Sequence, residues 1–149
     1  PLARWLLRRR FPKRVFHAGN LDCFSSEDGP ERLKQAYPDS AILFSNVIGQ
    51  MPDQNQIWKK NLVDAMQGTS WASYHDLIST SRAPDRQDPI ALPAGTGFEK
   101  VLAHFWHGGE LELLDHETFG LFTTETAYAT WSITPRQHHL VAWNCITVV

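Results

Sequence analysis

At 149 residues, 42% of them hydrophobic and 20% charged, the chain has the length and composition of one soluble globular domain, able to bury roughly 68–70% of its unfolded surface. No apolar run approaches the ~20 residues of a membrane span, and no signal-peptide pattern is visible, which excludes a membrane-spanning partner role. Cys23 and Cys145 lie far apart with no CxxC spacing, so the sequence implies reduced, structural thiols and a cytoplasmic location.

The net charge of −2 hides an asymmetry. Arg4, Arg8, Arg9, Arg10, Lys13 and Arg14 fall in the first 14 positions with no acid among them, leaving 8 bases against 16 acids in the rest. Such an end can hold the phosphates of a nucleic acid. It equally fits the solvated face of a helix that buries Leu2, Trp5 and Leu6, and no aromatic residues alternate with the arginines as single-strand binding favours. The helical reading is preferred and a nucleic-acid partner is not favoured. Pro1 in place of an initiator methionine fits a chain whose upstream segment has been removed.

In chain order, Leu2–Phe11 reads as a helix ended by Pro12, and Arg14–Ala18 as a strand. Ser26–Pro30 is a turn, with Pro30 near the first turn of a short helix that carries Leu33 and Tyr37 on one face. Ala41–Phe44 is a short apolar run without alternation, as expected of a strand buried on both faces. Asp53 or Asn55 can cap a helix whose apolar stripe is Ile57, Trp58, Leu62, Ala65 and Met66, closed by Gly68. Ser70–Ile78 is a third strand, and strands alternating with helices imply a parallel sheet. Residues 79–97, with three prolines and two glycines, read as a long loop, a lid or a connection to substrate. Phe98–Trp106 fits a short helix. Glu110–Asp115, Ala127–Ile133 and His139–Val149 fit strands, the last two pairing as an antiparallel hairpin about Thr134–His138.

Two strand tips carry polar residues suited to a ligand. The segment Val15-Phe16-His17-Ala18-Gly19-Asn20-Leu21-Asp22 ends in a Gly-Asn-Leu-Asp tip, and Ala41–Phe44 ends in Ser45-Asn46 before a helix. An open α/β sheet places its ligand crevice at such carboxyl ends. Asp22 can accept from an exocyclic amine, and Asn46 offers both donor and acceptor. Both also fit turn residues, Asp22 as a cap and Asn46 as a residue tolerant of left-handed backbone. In Tyr74-His75-Asp76, His75 has the ordinary pKa of a base at neutral pH, while Asp76 falls on the opposite face of a continuing strand and does not orient it. A hydrogen-bonded structural His-Asp fits equally.

With these features the chain resembles the later part of a class I S-adenosylmethionine-dependent methyltransferase. The resemblance implies an α/β, Rossmann-like, mostly parallel sheet with a C-terminal antiparallel hairpin, incomplete at its N-terminus. It implies that Gly19, Asn20, Leu21 and Asp22 lie at the adenine of S-adenosylmethionine, and that Ser45 and Asn46 lie beside the methyl donor. His75 and Tyr74 then face the methyl acceptor, which the sequence leaves open among a small molecule, a protein and RNA. The family's glycine-rich loop is absent, and with Pro1–Phe11 as the helix before the third strand the first two strands are missing. The chain therefore reads as one methyltransferase-like domain over residues 1–149, a C-terminal portion of a longer enzyme.

Two other readings stand beside it. One is a non-catalytic partner module that keeps the fold without the cofactor loop. The other is a His-dependent metallohydrolase built on His104, His107, Glu110, Asp115 and His116, but no HExxH or CxxC spacing supports it and no metal ligands are assigned. His138-His139 at the hairpin turn reads as exposed. No nucleophile elbow and no P-loop occur.

Overall fold

The structure is a computed structural model that describes residues 9–10, 21–51 and 56–147. The expected strand at Arg14–Ala18, the tip residues Gly19 and Asn20 and the helix-cap candidates Asp53 and Asn55 lie outside the described residues, as does all but Arg9 and Arg10 of the expected first helix.

Helix α1 spans Gly29–Ala36, with Pro30 in its first turn where a missing N–H costs nothing. Strand β1, Ile42–Ser45, leads through a 3-10 turn at Ile48–Gln50 to helix α2, Gln56–Ala65. Gly68, at φ +74°, lets the chain reverse after α2 into the long strand β2, Trp71–Thr80. Strand β3 (Ile90–Leu92), helix α3 (Phe98–Phe105), strand β4 (Leu113–Asp115) and the hairpin strands β5 (Thr126–Thr134) and β6 (Gln137–Ile146) follow.

The described architecture is mixed α/β, three helices on a six-stranded mixed sheet in the order β1-β2-β6-β5-β3. Strand β4 pairs with the end of β2, on the Ile78–Thr80 stretch beyond β1. The expected C-terminal antiparallel hairpin is present, β5 against β6, turning at Pro135-Arg136. The expected mostly parallel sheet is not. Only β1 and β2 run parallel, and the other four ladders are antiparallel. The reason lies in the connections. A parallel pair needs a crossover, and among the described residues only α2 supplies one between neighbouring strands. Strand β6 instead returns through a tight turn and inserts between β5 and β2.

Three smaller expectations also change. Strand β1 is not buried on both faces, since Leu43 is 67% exposed while Phe44 is buried. Residues 79–97 are not all loop, because Ile90–Leu92 forms an edge strand on β5. Tyr37 ends α1 as its C-cap residue and is exposed, so Leu33 alone of that pair packs inward.

Two apolar clusters hold these layers together. Trp58, Leu62 and Met66 from α2 and its end meet Phe44, Trp71 and Phe122. Val101, Leu102 and Phe105 from α3 meet Leu77, Ile78, Tyr128 and Leu140. The α2 stripe is narrower than its sequence pattern. Ile57 points outward at 50% exposure, whereas its neighbour Trp58 is fully buried.

Candidate functional site

Strand β1 ends in register with the middle of β2, Ser45 opposite Tyr74. Asn46 then takes a left-handed conformation, φ +52°, which a short polar side chain tolerates. Its backbone N–H donates to the Tyr74 carbonyl at 2.7 Å, fixing the turn against β2. Ser45, Asn46 and Tyr74 are thus brought together. The Asn46 Oδ1 atom is buried and accepts no hydrogen bond among the described residues.

The chain from Asn46 folds over the exposed edge of β2 where β1 has ended and β4 has not begun. Gly49 lies directly on Asp76, and a Cβ built there would sit 2.7 Å from the Asp76 carbonyl oxygen and 3.1 Å from its nitrogen. Both are backbone atoms of a sheet strand and cannot move aside. Gly49→Ala is expected to destabilise the fold by about 1–3 kcal/mol, the scale of an overpacked site. Urea unfolding measures it, and a variant as stable as the wild type would show that the turn does not press on β2 as described.

Gln50 completes the same contact, its Nε2 donating to Asp76 Oδ2 at 3.0 Å. Tyr74 has its hydroxyl pKa raised, first by burial and then by the Asp76 charge, so it stays protonated as a donor at neutral pH.

Asp22 is exposed and occupied by its own turn. Its Oδ1 accepts from the N–H groups of Phe24 and Ser25, each at 3.1 Å, and its Oδ2 from the Ser25 hydroxyl. The Ser25 hydroxyl first, then those backbone donors, hold its carboxyl below the ordinary range. Leu21 precedes it, half-buried. The next residue, Cys23, is anchored to α2, since Trp58 Nε1 donates to its carbonyl. Trp58 in turn packs edge-on to Phe44 at 5.9 Å, one residue before Ser45. The link to β1 thus runs from Cys23 through Trp58, and among the described residues Asp22 itself bonds only within its turn.

His75 is deep in the core. Its Nδ1 shares a hydrogen bond with Ser73 Oγ at 2.9 Å, and its ring lies 5.7 Å from that of Phe122. Burial pushes its pKa down to about 4, so the imidazole is neutral at pH 7 but a weak base. The adjoining cavity, between Thr118, Phe119 and Phe122, holds only about 10 Å³, the room of a single water. Asp76 takes other partners and does not touch His75, as strand alternation leads one to expect.

Of the histidines read as a rival constellation, His104 lies edge-on to Phe105 and His107 pairs with Asp85, its Nδ1 3.7 Å from the carboxylate. His116 alone of that group joins a different cluster, with Asp76 and His139. His138 and His139 are buried, contrary to the expectation of exposure, because His138 is held by Ser132 and the Pro135 carbonyl and His139 lies against Ser79, Asp76 and Trp131. A pair of polar residues beside a turn gives no sign of this in sequence. A cavity of about 440 Å³ lies elsewhere, between the Pro93–Gly97 turn and Phe119–Tyr128, and includes none of the expected site residues.

No known protein family, curated protein or solved structure matches this chain.

Proposed function

We propose that the chain is a methyltransferase-like domain, using S-adenosylmethionine as methyl donor to an acceptor of unassigned class. The observation that carries this reading is the unit β1–turn–α2–β2. Two parallel strands joined by a helix end a strand at Ser45-Asn46, at the carboxyl edge where open α/β sheets bind ligands. The antiparallel hairpin β5–β6, joined to β2 through β6, is the C-terminal feature that the resemblance implies.

At that edge Asn46 Oδ1 is a buried acceptor with no described partner, a group that gains most from a ligand N–H. The amino group of the cofactor's methionine part is such a donor. The Tyr74 hydroxyl stands on the neighbouring strand as a donor toward the acceptor molecule. Methyl transfer asks little acid–base work of the protein, because holding donor and nucleophile in line supplies much of the rate. His75, buried and a weak base, takes no part in that chemistry.

Asn46→Ala is expected to weaken S-adenosylhomocysteine binding by about 1–3 kcal/mol, the scale of losing a partner to a buried polar group. Calorimetry on the two proteins side by side reads the difference. Equal affinities would remove Asn46 from the site, and with it the reading of the β1 tip.

A further inference from the structure

A second cluster, not used in methyl transfer, sits where β2, β6 and the segment after β4 meet. Asp76, His116 and His139 each place one ligand-type atom within 4.8 Å of the other two. His139 Nδ1 lies 3.4 Å from Asp76 Oδ2. Ser79 Oγ stands between the imidazoles, 2.8 Å from His116 Nε2 and 3.1 Å from His139 Nδ1.

Hydrogen bonds alone leave this cluster incomplete. Asp76 Oδ1 and His139 Nε2 are buried and take no hydrogen bond among the described residues, and Asp76 is 1% exposed in an interior strand. A buried carboxylate oxygen without a donor and a buried imidazole nitrogen without a partner are both costly. No Lys or Arg forms an ion pair with Asp76 among the described residues. A cation held by the three side chains would supply the positive charge that the buried Asp76 carboxylate lacks among the described residues.

We propose that Asp76, His116 and His139 form a site for one divalent transition-metal ion, with zinc the best match. Two imidazoles and one carboxylate are a donor set that suits zinc and its neighbours and disfavours magnesium and calcium, which take oxygen ligands. Ligand bonds of about 2.0–2.2 Å put neighbouring donors of a tetrahedral ion about 3.4 Å apart, so the present cluster closes by about 1 Å or slightly more on binding. The half-buried His116 imidazole can make that movement by side-chain rotation, its backbone held by the Leu77 carbonyl and the Lys59 ammonium, whereas Asp76 and His139 are fixed on paired strands. The Gln50 amide, bonded to Asp76 Oδ2, already supplies the outer partner that orients a ligating carboxylate. The ion would pin three elements distant in sequence: β2, β6 and the β4–β5 connection. This proposal stands independently of the methyltransferase reading.

The test is a titration of Zn²⁺, then of Co²⁺ as its coloured substitute, into the chelator-stripped protein. The expected result is saturation at one equivalent, visible absorption bands of low-symmetry Co²⁺, and a rise in Tm of about 5–10 °C at 100-fold excess over Kd. His116→Gln and His139→Gln should each weaken binding by about 10–100-fold or more, while His107→Gln, an exposed histidine on another loop, should leave it unchanged. Because His116 lies in a loop, its variant remains folded and decides the matter even where His139→Gln does not. Absence of saturable binding, or an affinity untouched by His116→Gln, would overturn the site and leave a hydrogen-bonded His-Ser-His-Asp chain in its place.

Discussion

Trp58→Ala is expected to cost about 3–5 kcal/mol of stability, the range for truncating a large buried aromatic. That is a large share of the roughly 5–15 kcal/mol that holds a domain folded. The ring is 1% exposed and lies against Phe24 at 5.3 Å and Phe44 at 5.9 Å. Its Nε1 donates to the Cys23 carbonyl, so truncation also leaves a buried acceptor without its donor. Trp58→Phe keeps most of the volume and loses only that bond, and its expected cost is about 1–3 kcal/mol. The neighbouring Ile57→Ala, at a half-exposed position, should stay within about 1 kcal/mol. Urea unfolding of the three variants gives the comparison. A Trp58→Ala protein that loses no more than Ile57→Ala would mean that α2 does not dock on β1 through this ring.

The second large effect is on acid stability. His75 carries a pKa of about 4 in the folded protein against an ordinary 6.5, because burial among Phe122 and its neighbours disfavours the charged imidazolium. The unfolded chain binds a proton as pH falls through 6.5, whereas the folded chain binds it only near 4. Across that interval the unfolded state holds more protons, so stability is lost on acidification and regained as pH rises. This one group lowers stability by roughly 2–3 kcal/mol as pH falls from 7.5 to 4.5, most of the effect that its shift can exert. His75→Gln removes the titration. Unfolding free energies measured from pH 7.5 to 4.5 should fall more steeply in the wild type than in the variant, and parallel curves would place His75 in a solvated environment instead.

Both effects concern residues whose local setting was partly legible in sequence. The Trp58, Leu62, Ala65, Met66 spacing marks one helix face, and all four are buried. Ile57 fits the same spacing yet is half-exposed, because a five-residue stripe does not reveal where the neighbouring layer stops. The strands at 42–45 and 71–80, the short helix near Phe98 and the final hairpin follow from periodicity and turn chemistry, which are local signals. Partner choice is not local. Nothing in HHLVAWNCI states that this strand lies between β2 and β5, and two of the four antiparallel ladders follow from that one insertion.

The Asp76 cluster was hidden for the same reason. Its bridging Ser79 is separated by 37 residues from His116 and by 60 from His139, and no short motif spans such gaps. By contrast the Ser45-Asn46 tip was visible, because a strand, a polar turn and a helix follow one another along the chain. The left-handed backbone at Asn46 accords with the turn role that the sequence also allowed, and its unpartnered Oδ1 is what adds a binding role to it. Asp22 likewise serves its turn, yet as an exposed carboxylate it keeps acceptor sites beyond those the turn uses.

The most direct measurement is a calorimetric titration of S-adenosylhomocysteine into the 149-residue chain. The methyltransferase-like reading predicts saturable binding at one site with a Kd below about 1 mM, or about 4 kcal/mol of binding free energy, and a weaker isotherm for Asn46→Ala. No heat at millimolar ligand, with the protein shown to be folded, would contradict a cofactor crevice at the tip of β1.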